Sequence, residues 1–131
     1  MFEDDIEEID WGDYHPFFTK GEFDCKHTGE NKMVKEFMDK LMFIRKLYGK
    51  PMVITSGYRH HTHPEESRKE NPGYHSMGIA CDIACWSDEA YYIVKLAFEA
   101  GFTGIGVSQS TRSGKRFIHL DLRSLPRIYS Y

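Results

Sequence analysis

His75 and Asp82 stand in the run Tyr74-His75-Ser76-Met77-Gly78-Ile79-Ala80-Cys81-Asp82-Ile83. A second histidine, His119, follows in Phe117-Ile118-His119-Leu120-Asp121-Leu122-Arg123. Two neutral imidazoles and one carboxylate are the ligand types of a catalytic zinc site, in which the fourth tetrahedral position is left for water. Such a site makes a nucleophile near neutral pH and polarises a carbonyl. The three residues therefore point to a small zinc hydrolase. Taken alone, His75 would read as a hydrogen-bonded loop histidine, because single motif matches carry false positives. Asp82 and His119 in their own contexts reverse that reading.

These side chains need scaffolds of two kinds. Residues two apart in a strand face the same way, so His119 and Asp121 project together while Ile118, Leu120 and Leu122 face the other side. His75 and Asp82 are too far apart for neighbouring strand positions and must approach through a turn. Gly78 can provide it, and Ala80 and Cys81 are small enough to pack close to it. Upstream, Val34, Phe37, Met38, Leu41, Ile44 and Leu47 recur at helical spacing and predict a helix over 31–47. Asn31 is its expected cap, and Gly49-Lys50-Pro51 its stop. A strand is expected over 52–55, then a polar loop over 58–73, then a strand over 79–84. Asp88 is the expected cap of a second helix running to Ala100, with Ile93, Val94, Leu96, Ala97 and Phe98 as its apolar residues and Gly101 as its stop. Strands over 104–108 and 117–122 form a hairpin through a turn at 110–114. This order predicts an α+β domain: a small, mostly antiparallel sheet with helices packed on one side.

At 131 residues the chain has the length of one domain, enough for a core without disulfide staples. Its formal net charge of -3 argues against a nucleic-acid binder, which needs a basic surface, and against adsorption to a polyanionic wall. No run approaches the ~18 apolar residues of a membrane span. Met1-Phe2-Glu3-Asp4-Asp5-Ile6-Glu7-Glu8 lacks a basic region and an apolar region, so the expectation is cytoplasmic synthesis without a Sec signal. Residues 1–16 read as an acidic arm, solvated over 1–10. Cys25, Cys81 and Cys85 contain neither a C-x-x-C pair nor a four-cysteine framework, and read as reduced, buried small residues. A monomer is expected.

The pattern His-x-x-Gly-x-Ala-x-Asp-Ile at 75–83 is preceded by Ser56-Gly57-Tyr58-Arg59 and followed by the strand histidine. With Glu22-Phe23-Asp24-Cys25 and Ala100-Gly101-Phe102-Thr103-Gly104-Ile105-Gly106, it resembles the D-Ala-D-Ala carboxypeptidase group of zinc peptidases, whose fold hedgehog signalling domains share. The resemblance runs from about residue 17 to 131. It implies Zn2+ held by His75, Asp82 and His119, and a peptidoglycan stem peptide as substrate. The expected reaction is that of a DD-carboxypeptidase or of an endopeptidase of the L-Ala-D-Glu type, in a phage lysin or virion-associated protein acting on the cell wall. Arg59 matches the family's arginine beside the substrate carbonyl or carboxylate. A guanidinium can grip a carboxylate with two bonds or stabilise a developing oxyanion.

Such a peptidase also needs a proton acceptor. Relatives place an acid three positions before the last ligand, or a histidine two before it; here those positions are Arg116 and Phe117. Asp121 is then the first candidate. Its rival role is to accept the His119 ring N–H or to pair with Arg123, and the sequence leaves both open. Glu65, Glu66, His61 and His63 of the polar loop are further candidates. The run 60–67 also resembles the acidic loop of hedgehog domains, although it shows few oxygen ligands for a calcium-type ion. A non-catalytic, zinc-stabilised binding or structural module of the same fold is the alternative, and a hydrolase of non-peptide amides a third reading.

Overall fold

Strand register decides what each face of the molecule carries. In the computed structural model, which describes residues 8–67, 73–110 and 114–131, five strands form one sheet. They are β1 (Val53–Ser56), β2 (Ala80–Ala84), β3 (Gly104–Ser108), β4 (Phe117–Asp121) and β5 (Arg127–Ser130), in the order β1-β2-β4-β3-β5. All neighbours are antiparallel except β3 and β5, which are parallel. The helices are α1 (Lys20–Phe23), α2 (Lys35–Tyr48), α3 (Pro64–Ser67) and α4 (Asp88–Ala100). The fold is α+β with a mostly antiparallel sheet, as the order of elements predicts.

The alternation of side chains across the strands separates two chemistries. One face presents Cys81, Ile83, Ile105, Ile118 and Leu120. These join Phe37, Met38, Leu41 and Ile44 of α2 and Ala90, Ile93 and Ala97 of α4 in one buried cluster. Each large apolar side chain taken out of water there contributes roughly 1.5–3 kcal/mol. The other face pairs Ala80, Asp82 and Ala84 of β2 with Asp121, His119 and Phe117 of β4. Gly104, Gly106 and Ser108 of β3 lie on the far side of those same β4 residues.

Several boundaries differ from expectation. Helix α2 begins at Lys35, not at 31, because Asn31 is used elsewhere: its Oδ1 accepts the Met33 N–H, and its Nδ2 donates to Lys20 O and Asp24 Oδ1. Val34 stays extended and donates its N–H to Gly78 O. Leu47 falls outside the core at 56% exposure. In α4 the cap position belongs to Ser87, whose N–H is taken by Gln109 Oε1, and Asp88 is already helical. Phe98 is exposed. Gly49 and Gly101 end their helices in the left-handed conformation, as expected.

Of the acidic arm expected over 1–16, the described residues 8–16 pack on the fold in part. Ile9 and Trp11 pack on the core, and buried Tyr14 donates its hydroxyl to Asp39 Oδ1 at 2.6 Å. Residues 1–7, the loop positions 68–72 and the turn positions 111–113 lie outside the described residues. The three cysteines are free and buried. No helix is long and apolar enough to cross a membrane, among the described residues. The sequence does not signal strand β5, because four residues with Ile128 exposed carry too short an alternation.

Candidate metal centre

Asp82 and His119 are direct cross-strand partners in the middle of the sheet. Their register brings Asp82 Oδ1 to 3.0 Å from His119 Nδ1. His75 arrives from the turn before β2, and Gly78 makes that turn with φ 75. A side chain there would overlap the Lys32 carbonyl oxygen, so the close approach of the two segments requires glycine. His75 Nδ1 lies 2.8 Å from Gly57 O. A carbonyl only accepts, so Nδ1 carries a proton, and in the neutral ring the lone pair is the one on Nε2. That Nε2 stands 3.5 Å from Asp82 Oδ1. Gly57 in turn is pressed onto α1: a Cβ there would sit 2.6 Å from Phe23 Cα.

The ligand-type atoms of His75, Asp82 and His119 lie within 4.8 Å of one another, and all three residues are buried. The fit to zinc can be tested on the spacing. Tetrahedral bonds of ~2.0–2.1 Å require ligand atoms roughly 3.3 Å apart. The two edges to Asp82 Oδ1, at 3.0 and 3.5 Å, bracket that value. This donor set fits zinc. It is the only such group among the described residues, so the described part of the 58–73 loop assembles no second one.

Asp121 takes the far side of the His119 ring. Its Oδ2 is 2.7 Å from His119 Nε2, which leaves Nδ1 as the nitrogen on the Asp82 side. Asp121 also accepts from Arg123 Nε at 2.9 Å, Arg123 Nη2 at 2.6 Å and the Arg123 N–H at 3.0 Å. It is 0% exposed. The space comes from Gly104 across the sheet, where any Cβ would overlap the carboxylate. Burial pushes the Asp121 carboxyl up, but the bonds from His119 and Arg123 outweigh it and hold the group at about 2. Burial likewise opposes ionisation of Asp82, and its histidine partners hold it far below the usual carboxylate range. Burial disfavours the charged His119 ring, yet Asp121 and Asp82 together raise its pKa. Of the two roles open for Asp121, the geometry matches the orienting one. A sealed carboxylate with donors on both oxygens does not face a substrate.

Arg59 lies at the wall of a cleft of about 980 Å³ over this face. Its guanidinium reaches Asp82 Oδ2 at 3.5 Å and Glu66 Oε2 at 3.7 Å. Glu66 is buried, accepting from Gly73 N–H and Ser76 Oγ. It backs Arg59 and is turned away from any proton transfer. Glu65, by contrast, is exposed and lines the cleft. The His61 ring lies tilted against His60, and His63 packs edge-on against His27; neither is among the residues lining the cleft. Lys26, Arg59, Lys115, Arg116 and Arg123 give the cleft a cationic lining, with Phe117, Tyr129 and Tyr131 as an aromatic side.

The sequence does not show the supporting roles of four residues, Gly104, Gly106, Glu66 and Tyr129. Gly104 and Gly106 alternate opposite His119 and Asp121, a pattern that was visible but has no meaning until the strands are paired. Glu66 stood only as a candidate base. Tyr129 gave no signal.

A model of the family described as Peptidase M15 matches residues 16–121. The matched span holds Arg59, His75, Asp82, His119 and Asp121, and stops before β5. No curated protein matches the chain.

Proposed function

Since the chain belongs to the Peptidase M15 family, a family of zinc-dependent metallopeptidases, we propose that it hydrolyses peptidoglycan stem peptides, as a DD-carboxypeptidase or an L-Ala-D-Glu type endopeptidase. The observation that carries this reading is the buried His75–Asp82–His119 group at zinc spacing, opening onto the cleft. Zinc held there would supply Lewis-acid polarisation of a carbonyl and an acidified water.

The chain's own residues divide the remaining work. Gly57 O fixes the His75 tautomer and Asp121 fixes His119, so both rings present a lone pair to the same point. Arg59, held by Glu66, binds a substrate carboxylate or the carbonyl oxygen as charge develops on it. Glu65 is assigned the proton transfer. Apart from Asp82, it is the acidic side chain among the described residues lining the cleft. Five Lys and Arg side chains around the cleft of a chain with net charge -3 suit a ligand rich in carboxylates, such as a stem peptide.

Purified wall fragments incubated with the zinc-loaded protein should release peptide products identifiable by mass spectrometry, and a chelator should stop their release. One zinc per chain with no cleavage of any fragment would reject the peptidase and leave a zinc-stabilised binding module.

A further inference from the structure

Strand β5 lies beyond the segment that matches the family, yet it places an aromatic side chain in the cleft. Tyr129 pairs with Gly106, and Gly106 pairs with His119 on its other side, so the three stand in one row across the sheet. The end of the Tyr129 ring lies over Gly106: a Cβ there would sit 2.7 Å from Cζ and 2.9 Å from the phenolic oxygen. Glycine at 106 therefore lets the phenol reach over β3 to the position beside His119, with ring centroids 5.9 Å apart. Arg123 braces the ring at 5.3 Å, and the same guanidinium grips Asp121, which grips His119. The phenol is thus built into the same array as the metal group. Its hydroxyl meets the Tyr131 hydroxyl at 3.3 Å, a long contact that a better acceptor can replace.

We propose that Tyr129 is a catalytic residue of this chain: its phenolic O–H donates a hydrogen bond to the scissile carbonyl oxygen as that oxygen gains negative charge. It acts beside Arg59, from the β5 side of the cleft. A merely structural aromatic would work equally well as phenylalanine, since ring packing on Gly106 and Arg123 needs no hydroxyl. This inference rests on the peptidase reading.

The experiment is Tyr129→Phe, followed by zinc content, melting temperature, kcat and KM on wall peptides, and binding of a phosphinic pseudopeptide that mimics the charged, tetrahedral carbon. The expected result is unchanged zinc and melting temperature, a loss on the order of 100-fold in kcat, and KM within about threefold. Pseudopeptide binding should weaken by a similar factor, because the hydroxyl meets only the charged oxygen. Unchanged kcat, or loss of zinc from the variant, overturns the proposal. If the wild-type protein cleaves nothing, the peptidase reading fails by itself. Pseudopeptide binding to the two zinc-loaded proteins then decides this inference, and equal affinities overturn it.

Discussion

Under α2 and α4 the sheet presents Ile83, Ile105, Ile118 and Leu120, all essentially unexposed. The opposite face of the same strands presents Asp82, His119 and Asp121, set among Ala80, Ala84, Gly104 and Gly106. Volume fills the first face, and vacated volume makes the second. Where the apolar face gains stability from every methylene buried, the cleft face buries charged groups at a cost, and offsets it by pairing each with a partner. The small residues are the counterpart of the large ones: without glycine at 104 and 106, neither Asp121 nor Tyr129 has a place to lie.

The sharpest break of this contrast uses neighbours in β4. His119→Ala should abolish zinc binding and turnover, measured by metal analysis and product release, because one of three ligands is gone. Leu120→Ala should cost about 2–5 kcal/mol in denaturant unfolding through the cavity it leaves, while the folded fraction keeps its zinc. Zinc retained by His119→Ala would remove the metal assignment.

Within the cleft face, Glu65→Gln and Asp121→Asn separate proton transfer from ligand orientation. The first should keep zinc and lose on the order of 100-fold or more in kcat. The second should weaken zinc affinity roughly 10–100-fold, with activity restored by excess zinc. Zinc-independent loss in Asp121→Asn would reverse the two roles.

Arg59→Lys should leave zinc content and melting temperature unchanged and lower turnover about tenfold, because an ammonium lacks the two-pronged geometry of the guanidinium. Equal turnover would reduce Arg59 to a wall of the cleft.

The smallest effect lies on the outer side of α2. Burial raises the Asp39 carboxyl, but bonds from Lys35 and Tyr14 outweigh it and hold its pKa below the usual 3.8. A depressed carboxylate stabilises the fold above the unfolded value, and that stability fades as pH falls through the folded one. Asp39→Asn should therefore lower stability near neutral pH by less than about 1 kcal/mol, since the pair is half exposed, and the gap should close in unfolding titrations at acid pH below the folded-state pKa. A gap that persists there would assign the effect to packing.

The sequence by itself determined what covalent periodicity dictates. The alternation of Ile118, His119, Leu120 and Asp121 split β4 into a core side and a cleft side, and the spacing of Phe37, Met38, Leu41 and Ile44 marked the buried stripe of α2. That His75, Asp82 and His119 are residue types able to ligate a metal was legible too, and the structure gathers them into one buried group. Tertiary structure decided the rest, because each remaining property depends on what stands opposite. Asn31 was drawn from capping α2 into bonds with α1, and Tyr14 of the acidic arm was buried by its contact with α2. Glu65 and Glu66 are adjacent in sequence, yet one lines the cleft and the other is sealed behind Arg59. Asp121 shares its strand face with His119 by parity alone, but its burial and ionisation come from Gly104 across the sheet and from Arg123. Strand parity is set by the local backbone. Protonation and access to solvent are set by neighbours that only strand register brings together.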